Sequence, residues 1–329
     1  MTMNRQTRIS FWVFAGVLLL VGLLRLGTPL LAALLSFFAL QKMHWTRSKG
    51  VTILLFSLLL LGCAYGLAHF TNQARVALPT VADKAIPSII DYGEKRGVTL
   101  PFTDWASLKR YAMEEAREQS QVLSRALRSA AREVVLLIIG VVVAVSIFLN
   151  SKLDLDEGTH RIRNNLYSLT AQEVVSRFVL FYKSFTRVMG AQILISAINT
   201  VLTSVFVISV GLPHAAVMIG VTFLCGLLPV IGNLISNTII TAIAFTVSPK
   251  MALFALGFLV VIHKLEYFLN SKIIGDRIRN PIWLTLLGLI LGEKLMGIPG
   301  MILAPVVLNY IKEEATQIEL KAEPAVESP

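Results

Sequence analysis

The fold is decided by one stretch of the chain that contains no Asp, Glu, Lys or Arg. It runs from Val188 to Pro249 and reads VMGAQILISAINTVLTSVFVISVGLPHAAVMIGVTFLCGLLPVIGNLISNTIITAIAFTVSP. Roughly 20 consecutive apolar residues are enough for a helix to cross the hydrocarbon core of a bilayer. The stretch is long enough for more than one crossing, so lipid is the expected solvent of this fold.

Further apolar blocks on both sides of this stretch extend the same pattern. Hydrophobic residues make up 55% of the chain, and most of them lie in uncharged blocks. The pattern predicts an all-α polytopic membrane protein with about six full transmembrane helices. The predicted spans are residues 9–24, 26–41, 51–70, 134–149, 188–210 and 251–270.

Membrane topology explains the net charge of +10 better than nucleic-acid binding does. The basic residues stand between apolar blocks and form no patch interleaved with exposed aromatic residues, so no nucleic-acid partner is expected. In the short loops, Lys and Arg concentrate at the N-terminus and in residues 41–50, 151–187 and 264–279. Cytoplasmic loops carry such an excess. We therefore expect both termini in the cytoplasm and residues 71–132 on the opposite, periplasmic side.

This topology divides the chain into four regions. Residues 1–70 form N-terminal transmembrane helices, and residues 71–132 form an extramembrane helical region whose charges alternate in sign. Residues 133–311 form the core, which includes an amphipathic helix, 160–187, along the cytoplasmic interface. Residues 312–329 are polar and contain proline, which predicts a disordered cytoplasmic tail.

Two apolar segments in the core are interrupted by Pro and Gly at their middles. Segment 214–247 breaks at GLLPVIGN, residues 226–233, and segment 281–311 breaks at GEKLMGIPG, residues 292–300. Each arm reaches only about 21 Å at 1.5 Å per residue, against a hydrocarbon core of about 30 Å. The pattern predicts two broken or re-entrant helical hairpins. One ordinary span separates them, so they enter the membrane from opposite sides. The alternative is that Pro and Gly only kink full-length helices.

Broken backbone at membrane depth predicts a polar pathway, because unsatisfied N–H and C=O groups cannot face lipid. The candidate pathway residues lie at the two breaks and on the span between them. They are Pro229, Gly232, Asn233, Asn237, Glu266, Asn270, Glu293, Gly297, Pro299 and Gly300. Structural alternatives remain open for the polar members. The asparagines could serve helix-to-helix hydrogen bonds, Glu266 could lie at the cytoplasmic boundary, and Glu293 could be a solvated loop residue.

The sequence favours a secondary transporter over an enzyme. It contains no Gly-x-x-x-x-Gly-Lys-Ser/Thr loop, no His-Glu-x-x-His and no Gly-x-Ser-x-Gly. Cys63 and Cys225 each lie in an apolar block, so no metal site and no cofactor is expected. A passive pore is the nearest rival within the transport class, and a non-transporting membrane scaffold is the alternative from a different class.

Three motifs resemble one known family of bacterial permeases, the autoinducer-2 exporter family. They are LPVIG at 228–232, NSKIIG at 270–275 and GIPGMILAP at 297–305, in this order. The resemblance implies an exporter of a small signalling molecule or metabolite, or an ion-coupled antiporter of the sodium/proton type, in the bacterial cytoplasmic membrane. It also implies a homo-oligomer, with pentamers known in the family. Members commonly have Pro after the glycine of the first motif, where this chain has Asn233.

Overall fold

The regular secondary structure of the chain is helical wherever the structure describes it. The structure is a computed structural model and describes residues 5–46, 48–95, 120–150, 165–229, 231–274 and 281–317. The helices in these residues are α1 (Arg5–Leu23), α2 (Gly27–Met43), α3 (Lys49–Glu94), α4 (Ser120–Leu149), α5 (Leu166–Val210), α6 (Ala215–Gly226), α7 (Ile231–Val247), α8 (Pro249–Ile274), α9 (Ile282–Met296) and α10 (Ile298–Thr316). The all-α polytopic architecture is thereby confirmed in its coarse form.

Four helices of the described residues are long and apolar enough to cross a membrane. The four segments are Arg5–Leu23, Lys49–Gly93, Ala131–Leu149 and Leu166–Val210. The helix Gly27–Met43, with 17 residues, and both arms of the first hairpin are apolar but shorter. The sequence predicted about six full spans. Helix length and composition alone do not decide how many helices cross the membrane, so the number of crossings and the re-entrant course of the hairpins remain predictions.

Two helices are much longer than a single crossing requires. At 1.5 Å per residue, α3 with 46 residues and α5 with 45 residues each measure close to 70 Å. In α5 the residues assigned to an interfacial helix, 160–187, join the span 188–210 without interruption, because no proline lies between Leu166 and Val210. Residues 160–164 of that assignment lie outside the described residues. In α3 the apolar span continues as helix into the region predicted to be extramembrane, of which residues 96–119 are not described.

The chain forms two compact units. Unit 1 comprises Met1–Lys42, Leu136–Met189 and Ile278–Pro329. Its core contains three phenylalanines, Phe14, Phe181 and Phe185, packed with Tyr310 and apolar residues of α10. The hairpin α9–α10 belongs to this unit. Helix α10 continues to Thr316, past the point where the sequence predicted the tail to begin, and residues 318–329 lie outside the described part.

Unit 2 comprises Met43–Val135 and Gly190–Arg277. Its core joins α3, the second half of α5, the hairpin α6–α7 and α8. Ile243, Ala244 and Ala255 are fully buried there, so α7 and α8 pack closely along their length. This packing holds the polar residues of α5, α7 and α8 on facing surfaces within one unit.

Candidate functional site

A carboxylate from α8 is held by two amides from neighbouring helices. Oε2 of Glu266 accepts a hydrogen bond from Nδ2 of Asn233 on α7 at 2.7 Å and another from Nδ2 of Asn199 on α5 at 3.2 Å. All three residues belong to unit 2. Both amides donate to the same oxygen, Oε2. Within the part of the chain that the structure describes, this carboxylate is stabilised by neutral donors, and no Lys or Arg forms a salt bridge with it.

The orientation of Asn199 leaves one oxygen without a partner. An ionised carboxylate can only accept hydrogen bonds, so the amide nitrogen of Asn199 must face Glu266 and the amide oxygen must point elsewhere. The side chain is buried, with 6% of the residue exposed, and its Oδ1 has no hydrogen-bond partner. A buried, unpaired acceptor costs about 1–3 kcal/mol. Oδ1 of Asn199 is therefore an acceptor that gains by finding a partner.

The three residues line a small cavity, and most of the residues around it are polar. The space open to the centre of a water molecule is about 20 Å³, and one water needs at least about 10–15 Å³ by this measure. The cavity has room for one water molecule or one dehydrated monatomic ion. The polar residues around it are Asn199, Thr203, Thr222, Asn233, Ser236, Asn237, His263 and Glu266. Among the described residues, no group of three or more His, Cys, Asp and Glu side chains could hold a metal ion together.

The break between α6 and α7 borders this cavity. The helix ends at Gly226, and Leu227, Leu228 and Pro229 form turns before α7 begins at Ile231. The last carbonyl groups of a helix have no partner within the helix. Here, side chains of α5 donate hydrogen bonds to two of these carbonyl groups. Nε2 of Gln192 donates to the carbonyl oxygen of Gly226 at 2.6 Å, and Oγ of Ser196 donates to that of Phe223 at 2.8 Å. The interrupted backbone is therefore satisfied by protein.

Gly232 brings the two arms of this hairpin together. A Cβ at Gly232 would meet the carbonyl oxygen of Cys225 at 1.7 Å, a distance that no side chain can occupy. The first turn of α7 therefore lies directly against the last turn of α6. This contact places Asn233, the next residue, beside Glu266.

The break between α9 and α10 is a single residue in unit 1. Gly297 has φ 65° and ψ −146°, a backbone conformation that essentially only glycine adopts. The arms meet at Gly292 and Gly300, where a Cβ on Gly300 would meet the carbonyl oxygen of Gly292 at 1.9 Å. Pro299 begins the second arm beside the N-terminal part of α2, since a Cβ on Gly27 would meet its ring at 3.1 Å. Glu293 is exposed in the last turn of α9.

The structure brings together some of the residues predicted from sequence. Asn233, Asn237 and Glu266 line one cavity. Gly232 directly precedes Asn233, and Pro229 lies in the break before α7. Asn270 belongs to α8, but its side chain lies outside the described residues. Glu293, Gly297, Pro299 and Gly300 belong to the other unit. Whether the two breaks share one pathway remains a prediction.

The contact of Asn199 with Glu266 is the part of the site that the sequence indicates least clearly. Asn199 lies two helical turns after Gln192, which indicates a polar face on α5. Nothing in that spacing predicts that Gln192 supports the break while Asn199 contacts Glu266. Thr203 continues the same face one turn later and also lines the cavity.

Comparison with known proteins places these observations in a family. The profile of the AI-2E family transporter matches residues 7–319, which is nearly the whole chain. The chain belongs to the AI-2E transporter family. The resemblance that the three motifs carry is therefore confirmed, and with it a multi-pass membrane protein of the transport class.

One relative of this AI-2E family member supports the same class. It is the "Putative transport protein YdbI" of Bacillus subtilis (strain 168), which is 29% identical over 158 residues. The match covers 47% of this chain and 45% of the relative, so the chain spans about half the length of the curated relative it matches. No solved structure matches the chain.

Proposed function

We propose that this protein is a secondary transporter that exports a small signalling molecule or metabolite across the bacterial cytoplasmic membrane. The observation that carries the proposal is the carboxylate of Glu266, held by two asparagine amides beside a broken helix. Ionisable residues in membrane helices are costly and typically mark substrate or ion pathways. Interrupted helices near such residues are typical of transporter binding sites.

The proposed coupling is to an ion gradient. The partners of Glu266 among the described residues are neutral, so its charge is available to a mobile ion and is not cancelled by a lysine or arginine of these residues. The breaks at Pro229 and Gly297 would act as gates of opposite orientation, which alternating access requires. In this topology, both termini are cytoplasmic and residues 71–132 are periplasmic.

A flux assay with imposed gradients separates this proposal from its rivals. Proteoliposomes that contain the purified protein are loaded with autoinducer-2 or, separately, with radioactive sodium. Efflux of the loaded compound is then followed with an opposing sodium gradient, with an opposing proton gradient or with no gradient. We expect protein-dependent efflux that one of the two gradients accelerates. Efflux of sodium in exchange for protons, without efflux of autoinducer-2, would favour a sodium/proton antiporter.

The other outcomes overturn the proposal. Efflux that depends only on the concentration of the loaded compound, whatever gradient is imposed, would identify a passive pore. Rates equal to those of protein-free liposomes for both probes would favour a non-transporting scaffold.

A further inference from the structure

We propose that the cavity around Glu266 binds one dehydrated monovalent cation of the size of sodium, with Oδ1 of Asn199 and the carboxylate of Glu266 as ligands. This inference rests on the proposed function, because it names the ion that the transporter would couple to its cargo. Three independent features of the cavity carry it: an unsatisfied oxygen, the chemistry of the lining atoms and the volume.

The unsatisfied oxygen is an acceptor that a cation or a hydrogen-bond donor could satisfy. Asn199 lines the cavity, and its Oδ1 is buried without a hydrogen-bond partner. The two amide hydrogen bonds to Glu266 both end on Oε2, so neither of them occupies Oε1. Two acceptors thus remain available on two different helices, α5 and α8. A bound cation would satisfy both at once.

The other groups of the cavity wall suit a hard cation. The hydroxyls of Ser236 and Thr222 donate their protons to the backbone carbonyls of Asn233 and Met218, so their oxygen lone pairs remain available to a cation. Hard cations prefer oxygen ligands of this kind. Cys225 lies in the neighbouring turn, but it is not among the lining residues, and no sulfur atom of the described residues lines the cavity.

The charge of the site matches a monovalent ion. Of the described residues on the cavity wall, Glu266 is the one carboxylate and His263 is the other titratable residue. A monovalent cation would neutralise the carboxylate, whereas a divalent cation would leave one uncompensated positive charge inside the membrane, which is costly. The same argument explains why the amides and hydroxyls are sufficient as further ligands, since they add no charge.

The volume selects a dehydrated ion. The space of about 20 Å³ corresponds to about one water molecule, so an ion cannot enter with its hydration shell. The wall must therefore replace the lost water oxygens, as carbonyl oxygens do in ion-selective pores. A carboxylate has a strong field, which favours the smaller of two monovalent cations, so sodium should bind better than potassium.

A binding measurement on purified protein tests this proposal without any flux. Anything that binds the folded state raises its stability, so thermal unfolding in detergent is followed while sodium chloride replaces choline chloride at constant ionic strength. A parallel titration uses potassium chloride. We expect a saturable rise in unfolding temperature with sodium and a clearly smaller rise with potassium. Choline, which is too large for the cavity, is the baseline.

Variants connect the effect to the two ligands. Glu266→Gln and Asn199→Ala should each weaken the apparent sodium affinity at least about tenfold, which is the usual effect of losing one interaction with a charged group. Asp83→Asn removes an exposed carboxylate of α3 that is not part of the cavity wall and should leave the affinity unchanged.

Each outcome decides for or against the cation site. Equal effects of sodium, potassium and choline on the wild-type protein would show that only water fills the cavity, and this result requires no variant to fold. A sodium effect retained in both ligand variants would also overturn the proposal. Sodium binding without any protein-dependent flux would leave the cation site intact and overturn the transport function. Flux without sodium binding would do the reverse.

Discussion

The guanidinium of Arg177 forms a salt bridge with the carboxylate of Glu314, and the two side chains are only 7% and 20% exposed. Nε of Arg177 also donates to Oγ of Ser10 at 3.1 Å. This arginine therefore connects α5 to both α1 and α10 within unit 1. A second pair, Arg187 with Glu313, joins the same two helices α5 and α10 but is 50% and 30% exposed.

The two ion pairs are expected to differ in their contribution to stability. Glu314→Ala should destabilise the protein by about 3–5 kcal/mol, because it leaves the buried charge of Arg177 without its partner. Glu313→Ala should cost at most about 1 kcal/mol, because water screens an exposed pair. Thermal unfolding in detergent, compared at one scan rate, measures the difference. Equal losses for the two variants would contradict the structural role of Arg177.

The close approach of the hairpin arms predicts that glycine substitutions at different positions differ in their effects on stability and transport. Gly232→Ala and Gly300→Ala should reduce both stability and transport, because the added Cβ would lie within 2 Å of a carbonyl oxygen. Gly257→Ala, on the exposed face of α8, meets nothing within 4 Å. It should be neutral or stabilising by up to about 1 kcal/mol, since alanine is the better helix former.

Gly257 is also the appropriate control position for this experiment. Ala255, two residues earlier, is fully buried, so a larger side chain there would overpack the core. Unfolding temperature and flux are measured for each glycine variant. If Gly232→Ala and Gly257→Ala behave alike, the arms do not depend on the close contact.

The topology predicts opposite exposure of two engineered cysteines. In a background where Cys63 and Cys225 are replaced by alanine, Ser107→Cys should react with an impermeant thiol reagent in intact cells and Ser48→Cys should not. The reason is that basic short loops such as 41–50 stay in the cytoplasm. Ser48 precedes α3 and makes no side-chain cap, so its replacement should not disturb the helix. Labelling of both sites before lysis would contradict this orientation.

Access of water to the cavity predicts selective reactivity of a third cysteine. Asn237→Cys should react with a small hydrophilic thiol reagent, because Asn237 lines the cavity that the proposed transport cycle would open to water. Leu253→Cys on α8 should stay unreactive, since Leu253 lies on the exposed apolar surface that we expect to face lipid. The rates of modification in membranes compare the two sites. Similar rates would place the cavity outside any hydrated pathway.

The helix breaks could be predicted from sequence because their causes are local. Pro229 lacks the N–H group that a continuing helix needs, and the glycines around it allow the chain to turn, so α6 ends at Gly226 as expected. Gly297 likewise ends α9, because its positive φ is unfavourable for other residues. The apolar blocks predicted helices, because a helix satisfies the hydrogen bonds of its own backbone in lipid.

The partners of Glu266 could not be predicted, because tertiary packing selects them. Asn199 is 67 residues away from Glu266 in sequence. The sequence indicated a polar face of α5 only through the spacing of Asn199 and Gln192 by two helical turns. Asn233 follows Gly232, which packs on Cys225, and donates to Glu266 on α8, a contact between two helices that the sequence pattern does not specify. The continuity of α5 through residues 187–190 was missed as well, because the change from basic to apolar residues suggested two separate elements.

Flux through proteoliposomes that contain Glu266→Gln tests the central claim most directly, because this change removes the charge while keeping the shape of the side chain. Autoinducer-2 and radioactive sodium serve as probes, and wild-type protein and Asp83→Asn are the references, each at equal abundance and with checked assembly. We predict that Glu266→Gln slows the transported probe at least about tenfold, the usual effect of losing an interaction with a charged group, while Asp83→Asn keeps the wild-type rate. Equal rates for all three proteins would contradict the assignment of Glu266 to the transport pathway.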